Sequence, residues 1–285
     1  VNIEQKENNK VWLKYCCGFL VFAALGIIYF PILKGLVFDW QTNDNYSHGF
    51  FVPIISGYMI FSMRHEFRSI VIKPSNLGLI FLVLGLLQLY VASVGTEFFL
   101  QRLSILPVLI GATLFILGTD YTKKLLLPIL YLIFMIPLPA ILWNKIAFPM
   151  QLFSSAITED VVRLLGIPIF REGNVLHLAS TTLEVVDACS GLRSLTTMFA
   201  LSAALSWFTT FSLQRKWVLF FLAAPIAIFA NIVRLTLTAV LASMYGEKAA
   251  QGFLHEFSGM FTFILGLALL MACSRMLASG GSKSD

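Results

Sequence analysis

Apolar runs of roughly fifteen to twenty-five residues recur along the chain, and nothing else in it restricts the fold as strongly. Soluble enzymes with buried sheets carry apolar runs of only about four to eight residues. With 58% hydrophobic and 12% charged residues, a chain of 285 residues has too little polar surface to cover a soluble globule. Its solvent is lipid. A net charge of +5 raises nucleic acid as a partner, but the basic residues sit in small loop clusters and form no stripe interleaved with exposed aromatics. No nucleic acid is expected; the partner is the lipid bilayer.

Segments able to cross about 30 Å of hydrocarbon fall near 14–36, 46–63, 77–94, 103–118, 125–142, 190–211, 217–244 and 254–273. The fold class is therefore an all-α polytopic membrane protein with about eight transmembrane helices. The second and fourth runs are short enough to need tilt, thinning or burial among neighbours. The first has a basic flank, as a signal peptide has, but continues to Leu36 without a small-x-small cleavage site, which predicts a retained span.

Lysines and arginines set the orientation. Lys6 and Lys10, then Arg64, Arg68 and Lys73, then Lys123 and Lys124, Arg215 and Lys216, and finally Arg275 and Lys283 all fall on one side. That side is cytoplasmic and holds both termini. Asp39 and Asp44, the loop of Glu97 and Arg102, the region 143–188, and Glu247 with Lys248 fall outside. Within 143–188, apolar residues from 146 to 165 recur at helical spacing, while Gln151, Ser155, Glu159, Asp160 and Arg163 supply a polar face. That pattern predicts an amphipathic helix at the outer interface. GNVLHL and TTLEVVD then read as a short β-hairpin that delivers Asp187 and Cys189 to the start of the sixth span. There is no internal repeat or linker, so 1–285 reads as a single membrane domain.

An ionisable group within a span is a functional candidate by default, because burying it costs at least a few kcal/mol. Arg234, in AIFANIVRLTLTAV, lies about 15 Å below the outer end of the seventh span. Asn231 precedes it by three residues on the same helical face and can orient the guanidinium. A structural alternative is an arginine that only glues helices. Of the four cysteines, Cys16, Cys17 and Cys273 read as packing residues, and the spacing fits neither a disulfide framework nor a metal knuckle. Cys189, in VVDACSGLRSL, is different. It sits with Asp187 and Ser190 where strand gives way to helix, and unsatisfied N–H groups at a helix start favour a thiolate. Arg193 adds positive charge one turn later.

His255 opens the eighth span at its outer end. Three consecutive spans thus offer a thiol, a guanidinium and an imidazole to one compartment, the set that acyl transfer through a thioester requires. His48, at the outer mouth of the second span, competes with His255 as base, and His177 lies in the hairpin; His65 is solvated on the cytoplasmic side. These histidines with Asp187, Glu184 and Cys189 can alternatively build a metal site, although no HExxH-like spacing is present, and neither metal nor cofactor is expected. The runner-up reading, a transporter or channel component lined by Arg234 and Asn231, predicts paired helix breaks and repeats that the sequence lacks, and a metal-dependent intramembrane hydrolase is the third.

Taken together, NYSHGFFVPIIS, IPLPAILWNKIAFPMQLFSS, GIPIFREGNVLHLASTTLEVVDACSGLRSL, the NIVR of the seventh span and the His255 segment resemble the exosortase/archaeosortase family. ACSG-L-RS is the most specific piece. The resemblance implies a cysteine protease and transpeptidase at the outer face of the membrane, with Cys189 as nucleophile, Arg234 as essential arginine and His255 as the histidine. It implies no cofactor. It also implies membrane-anchored protein substrates of the PEP-CTERM kind, in which a short motif precedes an apolar helix and a basic tail, in exopolysaccharide-producing cells.

Overall fold

The apolar runs fold as helices, which the proline-marked step after Met135 divides into two groups. The computed structural model describes residues 2–179, 181–185, 191–246 and 253–279, with the side chains of 2–17, 19, 22 and 253–257 outside that description. Contacts divide the chain into two units, Val1–Pro137 and Leu138–Asp285.

The first unit holds α1 (Asn2–Thr42), a 3-10 segment at Asp44–Phe50, α2 (Phe51–Ser62), the single turn α3 (Arg64–Phe67) and α4 (Leu77–Val94). It continues through α5 (Phe98–Leu103), α6 (Ile105–Ile116), α7 (Thr119–Tyr131) and a 3-10 turn at Leu132–Met135. α4 and α6 approach backbone to backbone: a Cβ on Gly111 would lie 2.5 Å from the Leu82 nitrogen. Lipid gives no hydrophobic drive between helices, so small residues that permit such approach supply the packing. Arg102 Nη2 meets Asp39 Oδ2 at 2.7 Å, and Lys124 Nζ meets Glu66 Oε2 at 2.5 Å. Each pair joins two segments that the charge rule assigns to one side of the membrane.

The second unit holds α8 (Ala140–Leu164), three strands, α9 (Leu192–Phe208), α10 (Leu213–Tyr245) and α11 (Phe253–Ser279). α10 is its spine, packed against α8, α9 and α11. Ala223, Ala227, Ala230, Asn231, Ala239 and Ala242 are buried along it, and their small side chains let the neighbouring helices close in. The strands β1 (Ile169–Glu172), β2 (Val175–Leu178) and β3 (Thr182–Glu184) form an antiparallel sheet in sequence order. Leu176 and Val185 are buried against Leu235, and Leu178 against Val162, Ala239 and Ala242. Burial worth about 1.5–3 kcal/mol per large apolar side chain seats the sheet on α8 and α10.

Among the described residues, five helical segments are long and apolar enough to cross a membrane: Ala23–Thr42, Leu77–Val94, Phe98–Ile116, Leu213–Tyr245 and Ser258–Ser279. A sixth is counted if Thr119–Met135 and Ala140–Leu164 form one broken span. The chain is a multi-pass membrane protein by this measure, and the described residues do not account for all eight spans expected. α2 has 12 residues and rises only about 18 Å, and α9, with 17, rises about 26 Å. The run expected at 125–142 ends at Met135, because Pro137 and Pro139 cannot donate to a helix, and α8 begins at Ala140, earlier than its polar pattern indicated.

The expected hairpin is also larger than its sequence pattern indicated. GNVLHL and TTLEVVD do pair, but a preceding strand, β1, joins β2 through a two-residue Gly173-Asn174 turn. Arg171 hides this strand in the sequence by standing on its sheet-seating face. There its Nε reaches Glu159 Oε2 of α8 at 3.2 Å and its Nη1 donates to the Gly173 carbonyl at 2.9 Å.

Candidate active site

Asn231 and Arg234 lie one turn apart on α10 and share a face. Asn231 is 1% exposed, and what it packs on is Gly191, which opens α9 with a left-handed backbone (φ +81°). A Cβ on Gly191 would lie 2.9 Å from Asn231 Cγ and 3.0 Å from its Nδ2, closer than carbon atoms pack. The glycine of ACSG is thus the surface against which the asparagine of NIVR closes.

Arg234 turns the same face toward α11. Its Nε donates to Ser258 Oγ at 3.4 Å, and its Nη2 lies 3.9 Å from where a Cβ on Gly259 would stand. Ser258 is buried, and its carbonyl accepts from Thr262 Oγ1 at 2.5 Å. Thr238 Oγ1 donates to the Arg234 carbonyl at 2.9 Å, which ties up the backbone of the turn that carries the guanidinium. Ser258 and Gly259 follow position 255 by three and four residues in α11, so the three positions fall on one stripe of that helix. Sequence reading did not pick out Ser258 or Gly259, although their spacing from His255 is the signal that finds them.

Arg193 stands in the first turn of α9, half-buried, and its carbonyl accepts from the hydroxyls of Thr196 at 3.0 Å and Thr197 at 2.8 Å. Asp187, Cys189 and Ser190 lie outside the described residues, as does the side chain of His255. The described geometry therefore joins Gly191, Asn231, Arg234 and Ser258.

His48 belongs to the first unit. Its Nε2 lies 3.2 Å from the Phe134 carbonyl, which can only accept, so this nitrogen carries the hydrogen. Its Nδ1 is buried with no partner among the described residues. The adjacent Gly49 is pressed under Trp40, whose ring nitrogen would lie 2.3 Å from a Cβ there, and Trp40 Nε1 in turn donates to Met135 O at 2.9 Å. The SHGF step is therefore shaped to hold this imidazole against the 3-10 turn at Leu132–Met135.

His177 faces outward on β2, 3.6 Å from Glu172 Oε2, 3.3 Å from Thr182 Oγ1 and stacked on Phe170. Glu184 stands on the same face of β3. No three His, Cys, Asp or Glu side chains converge as metal ligands among the described residues.

A family model for transmembrane exosortases matches residues 40–272, most of the chain. The chain belongs to the transmembrane exosortase family. The matched stretch contains the SHGF step, ACSG, NIVR and the His255 segment. No curated protein matches this exosortase-family chain, and no solved structure does.

The packing of Gly191 gives a first expected result. Gly191→Ala meets both a left-handed backbone, which costs about 1–2 kcal/mol for other residues, and overlap with Asn231. It lowers the thermal midpoint in detergent and displaces Asn231. Gly166→Ala is the matched control, since Gly166 has φ +80° and open space around it. A Gly191→Ala midpoint equal to that of Gly166→Ala would show that the contact with Asn231 is without consequence.

Proposed function

We propose that this exosortase-family chain is a cysteine transpeptidase of the bacterial inner membrane, working at the outer face on secreted proteins held in the bilayer by a C-terminal apolar helix. The observation that carries this reading is the double contact of one face of α10. Asn231 meets the glycine of ACSG, and Arg234 meets Ser258, one turn along from position 255. Cys189 is two residues from Gly191, a separation that a trans chain cannot stretch beyond about 7 Å between Cα atoms. The family match supports the same assignment of a thiol, a guanidinium and an imidazole to one reaction.

In this mechanism Cys189 gives its proton to His255, and the thiolate attacks the carbonyl carbon ahead of the sorting signal. The carbonyl electron pair moves onto oxygen, where Arg234 balances it. Collapse of the intermediate breaks the C–N bond, His255 returns the proton to the leaving amine, and the secreted protein is left as a thioester on Cys189. An amine of an acceptor, or water, then attacks the thioester and restores the thiol. Asn231 holds the guanidinium face, and Arg193 adds positive potential near the thiolate.

The intermediate is the test. Quenching the wild-type chain during turnover should yield a substrate adduct on the peptide containing Cys189, released by neutral hydroxylamine. His255→Ala should form that adduct at least about a hundredfold more slowly, within the range that general base catalysis contributes. Turnover without any adduct on Cys189 would overturn the covalent mechanism, and loss of the adduct in His48→Ala but not in His255→Ala would move the base to His48.

A further inference from the structure

The sheet of the second unit ends in an edge that points to how substrate is held. In an antiparallel ladder, alternate residues direct their N–H and C=O groups to the neighbouring strand. Leu178 N donates to Thr181 O at 2.8 Å and Val185 N to Asn174 O at 2.9 Å, and Leu183 pairs with Leu176. Thr181, Leu183 and Val185 therefore face β2, while the backbone groups of Thr182 and Glu184 face away from the sheet. Both residues are exposed, and among the described residues no strand lies beyond β3. The opposite edge is different, because β1 packs on α8 and is tied there by Arg171 and Glu159. An unpaired edge of this kind is a template for another extended chain.

Two features identify the chain that fits it. β3 is anchored through Val185 and Leu176 to Leu235, the residue after Arg234, so the edge is mounted on the helix that carries the arginine. From Glu184 the chain reaches Cys189 in five residues, at most about 18 Å when fully extended. A peptide paired with β3 thus lies within a few residues of the thiol, and main-chain pairing holds it extended as attack on a backbone carbonyl requires.

We infer that β3 is the substrate-docking edge: the segment of the secreted protein next to its cleavage point adds as a fourth strand, exchanging backbone hydrogen bonds with Thr182 and Glu184. This is recognition by strand addition, in which the main chain supplies affinity and alternate side chains supply selectivity. The inference rests on the cysteine transpeptidase reading and names how that site takes its substrate.

The outward N–H of Glu184 can be removed without breaking the ladder to β2. Proline lacks that donor and is tolerated on an edge. With the full-length chain in detergent and a synthetic peptide carrying a Pro-containing segment, an apolar helix and a basic tail, Glu184→Pro raises KM about tenfold or more and leaves kcat within about twofold. Glu184→Ala keeps the N–H and raises KM by less than Glu184→Pro does. Equal behaviour of the two variants overturns the docking edge.

A second measurement leaves the enzyme untouched and so survives any folding defect in the proline variant. N-methylation of the peptide at successive non-proline residues produces alternating loss and tolerance along the segment, the period of a strand. Loss that does not alternate removes strand addition alone. Wild-type chain that never acylates on Cys189 removes the transpeptidase reading and this inference with it.

Discussion

Cys189→Ala leaves the substrate protein full length and membrane-bound, while the variant chain inserts and accumulates as the wild type does. The two halves of this result have separate causes. Removing the nucleophile of a covalent mechanism eliminates the route through the acyl-enzyme, and losses of about four to six orders of magnitude are usual for such residues. Residual binding of substrate is unaffected, because the sheet edge, Asn231 and Arg234 are all intact. Accumulation is expected because the described packing of the second unit rests on Leu176, Val185, Leu178 and the small residues of α10. The measurement is the size of the secreted protein on a gel, with Cys189→Ala as the only copy of the enzyme in the cell. Processed product at the wild-type level would remove the cysteine from the chemistry. A variant that fails to accumulate is examined in detergent, where retained substrate binding separates lost chemistry from lost fold.

Which parts of this molecule could be seen in the sequence follows from how each signal arises. Membrane helices announce themselves by length and apolarity, and α4, α10 and α11 lie where such runs indicated. Boundaries are governed by single residues instead. Pro137 and Pro139 cut the run expected to reach 142, and α2, at 12 residues, is a helix that apolarity alone makes look like a full span. β1 was hidden because Arg171, turned toward the seat of the sheet and paired with Glu159, spoils the alternation that marks a strand. Asn231 and Arg234 were legible because lipid makes polar side chains expensive, so their presence demands a reason. Ser258 was not, because a serine in an apolar helix can bond its own backbone at little cost. Its spacing from position 255 is a weak signal, and the proximity of the guanidinium is what singles it out in three dimensions. Gly191 shows the same limit: a glycine after a serine reads as a helix start, and its second purpose, making room for Asn231, is visible only in three dimensions.

Arg234→Lys keeps a positive charge on α10 and still lowers kcat/KM by about two to three orders of magnitude, about 2.7–4 kcal/mol of transition-state stabilisation. A guanidinium presents a planar fork of donors, so Nε can remain on Ser258 while the outer nitrogens face the developing oxyanion. An ammonium has one point of charge and must choose between them. The fall therefore appears in kcat, with KM little changed, because the interaction is strongest where charge develops. Ser258→Ala supplies the comparison. It removes the 3.4 Å contact that orients the guanidinium but leaves every donor in place, so it costs about tenfold, within the range of a single hydrogen bond to a charged group. Arg193→Lys, on the first turn of α9, changes the potential near the thiol without removing charge and costs less than Arg234→Lys. The order of the three variants decides the role. A wild-type rate in Arg234→Lys reduces the arginine to a fixed charge. A larger fall in Arg193→Lys than in Arg234→Lys transfers the oxyanion to α9, one turn from the thiol, and leaves Asn231 and Arg234 as the clasp that holds α9 and α11 to α10.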